Sequence, residues 1–251
     1  MENNFIYLDN ASTTPLSENV LNIINSTYRN YWHNPSSTYE LGIKCSTYLE
    51  KIRSKIAYIF EADPEDIIFT SGSSESTNIV FNNVYENFKN GRVVISNVEH
   101  QATTICANKL RKQNWDIYEW TVNNDGILNF SNIEKFLNID TKLVSIIWGQ
   151  SEIGTIQPVQ FIGSKCEELN IMFHLDGTQI LSNGIFSWKD LKCDFLSLSA
   201  HKFGGPKGIG MLLTKEKSRQ ILKNNDISLT QEFSIRQGTQ ALPLIAGMYE
   251  S

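Results

Sequence analysis

Short apolar runs of strand length recur along the chain: IIFT from Ile67, RVVIS from Arg92, DIYEW from Asp116, LVSIIW from Leu143, NIMFHL from Asn170, CDFLSLS from Cys193 and GIGMLL from Gly208. They are rich in β-branched and aromatic residues, and most are apolar throughout rather than alternating. That is the pattern of strands covered on both faces. Between most of them lie stretches with helical spacing, such as STNIVFNNVYENF, HQATTICANKLRKQ and VQFIGSKCEELN. The alternation predicts an α/β fold: a mostly parallel sheet of about seven strands with helices on both faces. Two further helical stretches, Val20 to Trp32 and Ser36 to Ala62, precede the first strand. Residues 1–62 are therefore expected to form an N-terminal helical segment packed outside the sheet or against a partner. No linker, repeat or low-complexity tract interrupts the pattern, so one domain over 1–251 is expected.

Charge narrows the function classes. The 251 residues carry 22 basic and 27 acidic side chains, a net of −5 without a basic run. A general electrostatic grip on nucleic acid or an anionic membrane is therefore not expected. The start, MENNFIYLDNAS, lacks the basic and apolar regions of a signal peptide, and no run reaches spanning length, so the expected location is cytoplasmic. Cys45, Cys106, Cys166 and Cys193 are far apart and form no CxxC, and VEHQ does not complete HExxH. Four reduced, mostly buried thiols and no metal site are expected.

In open α/β sheets, chemistry collects at the C-terminal ends of the strands. After IIFT comes SGSSESTN; after VVIS comes NVEH with His100; after IMFHL comes DGTQ; after FLSLS comes AHK. The Ser71 to Ser76 turn offers backbone N–H groups and hydroxyls at a helix N-terminus. This suits a phosphate, and equally an ordinary cap. GxxxxGK[ST] and GxGxxG are both absent. Lys202 is either a solvated turn lysine or an amine placed to attack a carbonyl. Asp176 is either a paired structural acid or the acid that keeps a heterocyclic nitrogen protonated. A phosphate cradle, a pyridinium partner and a Schiff-base lysine are the three parts that a pyridoxal 5'-phosphate site needs. Their joint occurrence at successive strand ends argues for that site. Gly177, beside Asp176, is expected to leave room for a flat ring to approach the backbone.

The stretches YLDNASTTP at Tyr7, FTSGSSESTN at Phe69, VEHQA at Val98, EIGTIQP at Glu152, HLDGTQ at His174, SAHKFGGPKGIG at Ser199 and IRQGT at Ile235 carry a resemblance. The chain is similar to class V aminotransferase-fold enzymes, and most closely to cysteine desulfurases of the NifS/IscS kind. The motifs run in family order from end to end. The resemblance implies the large domain of a fold type I pyridoxal-phosphate-dependent transferase. It implies that Lys202 carries the cofactor, that Asp176 pairs with the pyridine nitrogen, and that His100 stacks on the ring and shuttles protons. Gln179, with Ser151, would meet the ring hydroxyl. Ser73, Ser74, Ser199 and His201 would hold the phosphate, with Thr239 reaching over from the second subunit of a homodimer. Asn10 and Ala11 would line the substrate side. The implied reaction converts L-cysteine to L-alanine, with sulfur passed to a protein cysteine and on to a sulfur-acceptor protein. That acceptor is an iron–sulfur scaffold, a tRNA-thiolation relay or a DNA-modification system.

The chain departs from the family pattern at three places. Gln150 and Ser151 stand where asparagine is usual before EIG, so the ring-hydroxyl contact is lost, bridged by water or taken over by Gln150. Ser228, Leu229 and Thr230 replace a glycine run, and Phe233 stands where arginine is usual. The chain ends at Ser251, whereas the family continues into a smaller C-terminal domain carrying the persulfide-forming cysteine and a carboxylate-binding arginine. The expectation is a truncated or split enzyme, with a separate C-terminal chain as a partner. A degenerate binding or scaffolding subunit and another class V enzyme, a selenocysteine lyase or an aminotransferase, are the competing readings.

Overall fold

All seven apolar runs form strands, and all seven belong to one sheet. The computed structural model describes residues 6–223 and 230–251. The strands are β1 (Ile67–Thr70), β2 (Arg92–Ser96), β3 (Asp116–Trp120), β4 (Thr141–Ile147), β5 (Met172–Asp176), β6 (Phe195–Ser199) and β7 (Gly210–Thr214), in the order β1-β7-β6-β5-β4-β2-β3. The helices are α1 (Glu18–Asn30), α2 (Glu40–Phe60), α3 (Ser73–Asn87), α4 (Gln101–Arg111), α5 (Val159–Glu168), α6 (Glu216–Leu222) and α7 (Leu242–Glu250). Pairings from β6 to β3 are parallel, and β7 runs antiparallel to both β6 and β1. The reversal follows from length: too few residues separate β6 from β7 for a crossover helix, so the chain has to turn back.

Successive residues in a strand point to opposite faces, and here each face has its own apolar layer. Val94, Val144, Phe173, Leu196 and Leu213 pack with Leu49, Ile52 and Ile56 of α2, Ile162 of α5 and Ile245 of α7. Val93, Leu143, Met172, Phe195 and Leu212 pack on the other side with Val80, Phe81 and Val84 of α3, Cys106 and Leu110 of α4 and Leu222 of α6. Each buried side chain of this size contributes about 1.5–3 kcal/mol by leaving water. Truncating a central one such as Phe173, which is 1% exposed, would cost about 3–5 kcal/mol.

The edges show the pattern by contrast. At the edge strand β3 only Trp120 is buried, whereas all four residues of β1, at the other edge, are buried. Helix α2 lies on the sheet, while α1 lies outside it against α7, where Gly247 lets Ile24 approach: a Cβ there would meet the Ile24 side chain at 2.6 Å. Helices α6 and α7 are not anticipated by the apolar spacing; both are short, and α7 opens on Pro243, well suited to a first helical turn. Ser228 and Leu229 lie outside the described residues.

Candidate functional site

Asp176 is the last residue of β5, and its sheet neighbour on β6 is Ser197, five residues before Lys202. Beyond β6 the chain makes one short turn, Ala200–Lys202, and then bends back through Gly204 and Gly208, whose φ of 90° and 81° are left-handed. This places Lys202 over the strand ends. A cavity of about 380 Å³ opens there, lined by Ser73, Ser74, His100, Ser151, Asp176, Gln179, Ser199, His201 and Lys202, together with Ala11. Asn10 lines an adjoining cavity of about 240 Å³, whose wall also includes Ala11, Ser151, Gln179 and Lys202. Thr239 is exposed and lines neither.

The serine turn sits at one end. α3 begins at Ser73 after Gly72, and the Ser73 N–H donates to Ser199 Oγ at 2.8 Å, whose hydroxyl donates to Ser73 Oγ at 3.1 Å. The turn is drawn onto the sheet because Gly210 has no side chain: a Cβ there would lie 2.6 Å from Gly72 Cα. The first turn of a helix and three hydroxyls then share one end of the cavity, an arrangement that favours an anion.

Asp176 is 4% exposed. Its Oδ1 accepts from the Thr178 N–H at 3.0 Å and the Thr178 hydroxyl at 2.5 Å, which orients the carboxylate and leaves Oδ2 without a hydrogen bond among the described residues. The Lys202 ammonium donates to the carbonyls of Ala11 at 2.7 Å and Ser12 at 2.8 Å. Partial burial holds the amine below the usual lysine range, against the opposing pull of Asp176 and Asp9. It is thereby easier to deprotonate than a surface lysine. Burial, then Lys202 and Lys207, likewise lowers His201. His100 caps α4: Nδ1 accepts the Ala102 N–H at 3.1 Å, so a single ring proton sits on Nε2.

The structure adds detail to several sequence expectations. A Cβ at Gly177 would meet Leu196 Cδ1 at 2.5 Å, so the glycine also gives room to the leucine layer. Gln150 Oε1 accepts from the N–H groups of Glu152 at 2.6 Å and Ile153 at 2.9 Å and closes its own turn. The Gln179 amide donates to Ala11 O at 2.8 Å, so one carbonyl ties both Gln179 and Lys202 to the N-terminal strap. That strap is a feature the motifs left unread. Thr14 donates to His201 O from both its N–H, at 2.9 Å, and its hydroxyl, at 3.0 Å, and accepts the Gly204 N–H at 2.8 Å. The tandem threonines of ASTTP were its signal. Thr178, Asp9, Ser12 and Glu152 also went unread. Thr239 belongs to a segment held to the serine turn by Arg236, whose Nε lies 3.0 Å from Glu75 Oε1, while Glu75 Oε2 accepts the Ser71 N–H.

The fold and this constellation define the large domain of a fold type I pyridoxal-phosphate-dependent transferase. The class-V aminotransferase family profile matches residues 6–246, and the chain belongs to that family. A mitochondrial cysteine desulfurase of Candida maltosa is 36% identical over 249 residues, covering 98% of this chain and 51% of the relative. Cysteine desulfurase IscS of Pseudoalteromonas translucida is 33% identical, covering 97% of this chain and 61% of the relative. A solved NifS-like protein superposes with a TM-score of 0.91 at 32% identity, over 97% of this chain and 67% of that one. A solved structure of SspA in complex with cysteine gives 0.90 at 30% identity, over 98% and 71%. The chain spans about half the length of the fungal relatives it matches.

The family depends on pyridoxal phosphate, and the residues present fit that group. The cavity offers hydroxyls and a helix N-terminus at one end, a buried carboxylate with a free oxygen on its floor and a depressed lysine above. No helix among the described residues is long and apolar enough to cross a membrane.

Proposed function

We propose that the chain is the cofactor-holding part of a homodimeric cysteine desulfurase that takes L-cysteine to L-alanine and delivers sulfur to a protein thiol. The observation that carries the reading is the single cavity joining Lys202, Asp176, His100 and the serine turn. Two likenesses support the substrate: desulfurases match nearly the whole chain, and SspA, a structural neighbour, was solved with cysteine. When bound, the cofactor supplies an aldehyde and an electron-withdrawing pyridinium ring. Asp176 Oδ2 would pair with the ring nitrogen. Ser73, Ser74, Ser199 and His201 would bind the phosphate, together with Thr239 of a second copy. His100 would lie against the ring, and Gln179 and Ser151 would meet its hydroxyl. Lys202 would hold the cofactor through its amine and carry the substrate Cα proton, while Asn10 and Ala11 would orient the substrate.

The thiol that takes up sulfur comes from outside these 251 residues. Cys45, Cys106, Cys166 and Cys193 are all buried, and burial pushes Cys106, Cys166 and Cys193 above the usual thiol range. A sulfur acceptor needs an accessible thiolate. Reconstitution with pyridoxal phosphate, borohydride reduction and peptide mapping should place the label on the Lys202 peptide. The chain alone should form no alanine from cysteine above free cofactor, and adding the C-terminal half of a full-length desulfurase should start turnover. Label at another lysine overturns the cofactor assignment. Turnover by the chain alone, lost on changing one of its four cysteines, overturns the placing of the thiol.

A further inference from the structure

Glu99 is a half-buried residue whose carboxyl end is buried, and the proposed chemistry does not use it. It lies between β2 and α4, immediately before His100. Its Oε1 accepts from Ser96 Oγ at 2.6 Å and from the Ile147 N–H at 2.7 Å. Ser96 ends β2 and Ile147 ends β4, so one oxygen joins two strand ends to the turn that carries His100. Ile147 is also the sheet partner of Asp176, whose carbonyl accepts the Trp148 N–H at 2.9 Å. Oε2 is buried and has no hydrogen-bond partner among the described residues.

A buried carboxylate with one bare oxygen and no cation is costly, and protonation is the cheaper solution. The charge that acts on Glu99 has the wrong sign, being that of Asp176. Besides Asp176, the titratable neighbour along the chain is His100, on its own turn. Since Oε1 already accepts twice, the proton belongs on Oε2. Burial, with Asp176 adding to it, raises the group from 4.5 to about 8.

We propose that Glu99 is a positioning residue kept as a neutral acid, whose Oε1 fixes the His100 turn to the ends of β2 and β4 and which leaves the negative charge of the cavity floor to Asp176. The first half stands without any cofactor; the second rests on the pyridoxal phosphate reading. Because the folded state binds a proton that the unfolded state releases between pH 4.5 and about 8, Glu99 makes stability fall as pH rises through that window.

The test melts the cofactor-free chain and its Glu99→Gln variant, the isostere of the neutral acid, from pH 5 to 8. Relative to the variant, the wild-type Tm should fall by about 4 °C or more across the range. Parallel profiles overturn the neutral acid. Titration with pyridoxal phosphate, followed by absorbance, should show Glu99→Ala binding about tenfold more weakly, a change of about 1.4 kcal/mol, and Glu99→Gln within about threefold of wild type. Should Glu99→Ala fail to fold, Glu99→Asp, which draws Oε1 away from both donors, carries the same expectation. Unchanged affinity in the variant that folds overturns the positioning role. Diverging melts with no cofactor uptake by the wild type support the neutral acid and overturn the cofactor reading instead.

Discussion

Glu232, a buried acid, and Glu99, a half-buried residue with a buried carboxyl oxygen, both accept a backbone N–H from a strand, yet their surroundings differ in kind. Glu232 sits beside the free edge of β1. Its oxygens receive Arg53 at 3.0 and 2.8 Å, the Phe69 N–H at 2.7 Å and the Gln240 amide at 3.1 Å, while Arg53 donates its remaining hydrogen bonds to Ile67 O and Glu50. The pair closes with side chains an edge that no strand covers, and the Phe233 ring lies 5.0 Å from the guanidinium. It also anchors a segment that turns sharply, with Glu232, Phe233 and Ser234 all at positive φ. Glu99 has neutral donors only and another acid for a neighbour. Glu232 comes with a cation at the fold's edge, and Glu99, behind the ends of β2 and β4, comes without one among the described residues.

The largest effect should come from breaking the closed pair. Arg53→Met leaves Glu232 buried with no counter-charge, and should cost about 3–5 kcal/mol. Chemical denaturation measures it directly. Adding Glu232→Gln should recover part of the loss, because the double variant buries no unpaired charge. A loss under about 1 kcal/mol would mean that solvent reaches the β1 edge, and the contrast with Glu99 would disappear.

A second effect runs opposite in pH to that of Glu99. His174, on the central strand β5, bridges Ser145 Oγ at 2.8 Å and Ser197 Oγ at 2.7 Å, and burial lowers it to about 3. The folded state keeps it neutral while the unfolded chain takes up a proton below about 6.5, so stability falls as pH falls from 6.5 towards 3. Denaturation of wild type and His174→Gln should show a difference changing by about 2–3 kcal/mol between pH 6.5 and pH 4. A constant difference would show that water enters the sheet there. Between pH 4.5 and 6.5 the two slopes oppose each other, so together the two groups predict stability that is level there and falls on either side.

How much of this was readable follows from the type of signal. Strands lie on the apolar runs, most of which end at or beside Gly, Ser or Asp, so the sheet, its two covered faces and the strand-end residues could be found by pattern. Ser73, Ser74, His100, Asp176, Ser199 and Lys202 meet because parallel strands deliver their ends to one side. Thr14 and Gly204, 190 residues apart in sequence, meet through a hydroxyl that no periodicity marks. Glu99 was hidden beside His100, since burial of a single oxygen is set by β4 and not by its own neighbours.

The smallest effect is the control for both acids. Arg111 and Glu119 join the last turn of α4 to β3 at 2.8 Å, with side chains 47% and 52% exposed. The distance matches that of the Arg53 pair, so geometry alone would assign them equal weight. Water screens the outer pair, and both side chains lose entropy in forming it, so Arg111→Ala should change stability by less than about 0.5 kcal/mol. Even that difference should shrink in 1 M salt, where charges are screened within about 3 Å, while the Arg53→Met loss should remain. Equal costs for the two arginine variants, or equal salt sensitivity, would show that burial does not separate the pairs. Burial without a cation would then no longer be a reason for Glu99 to hold a proton.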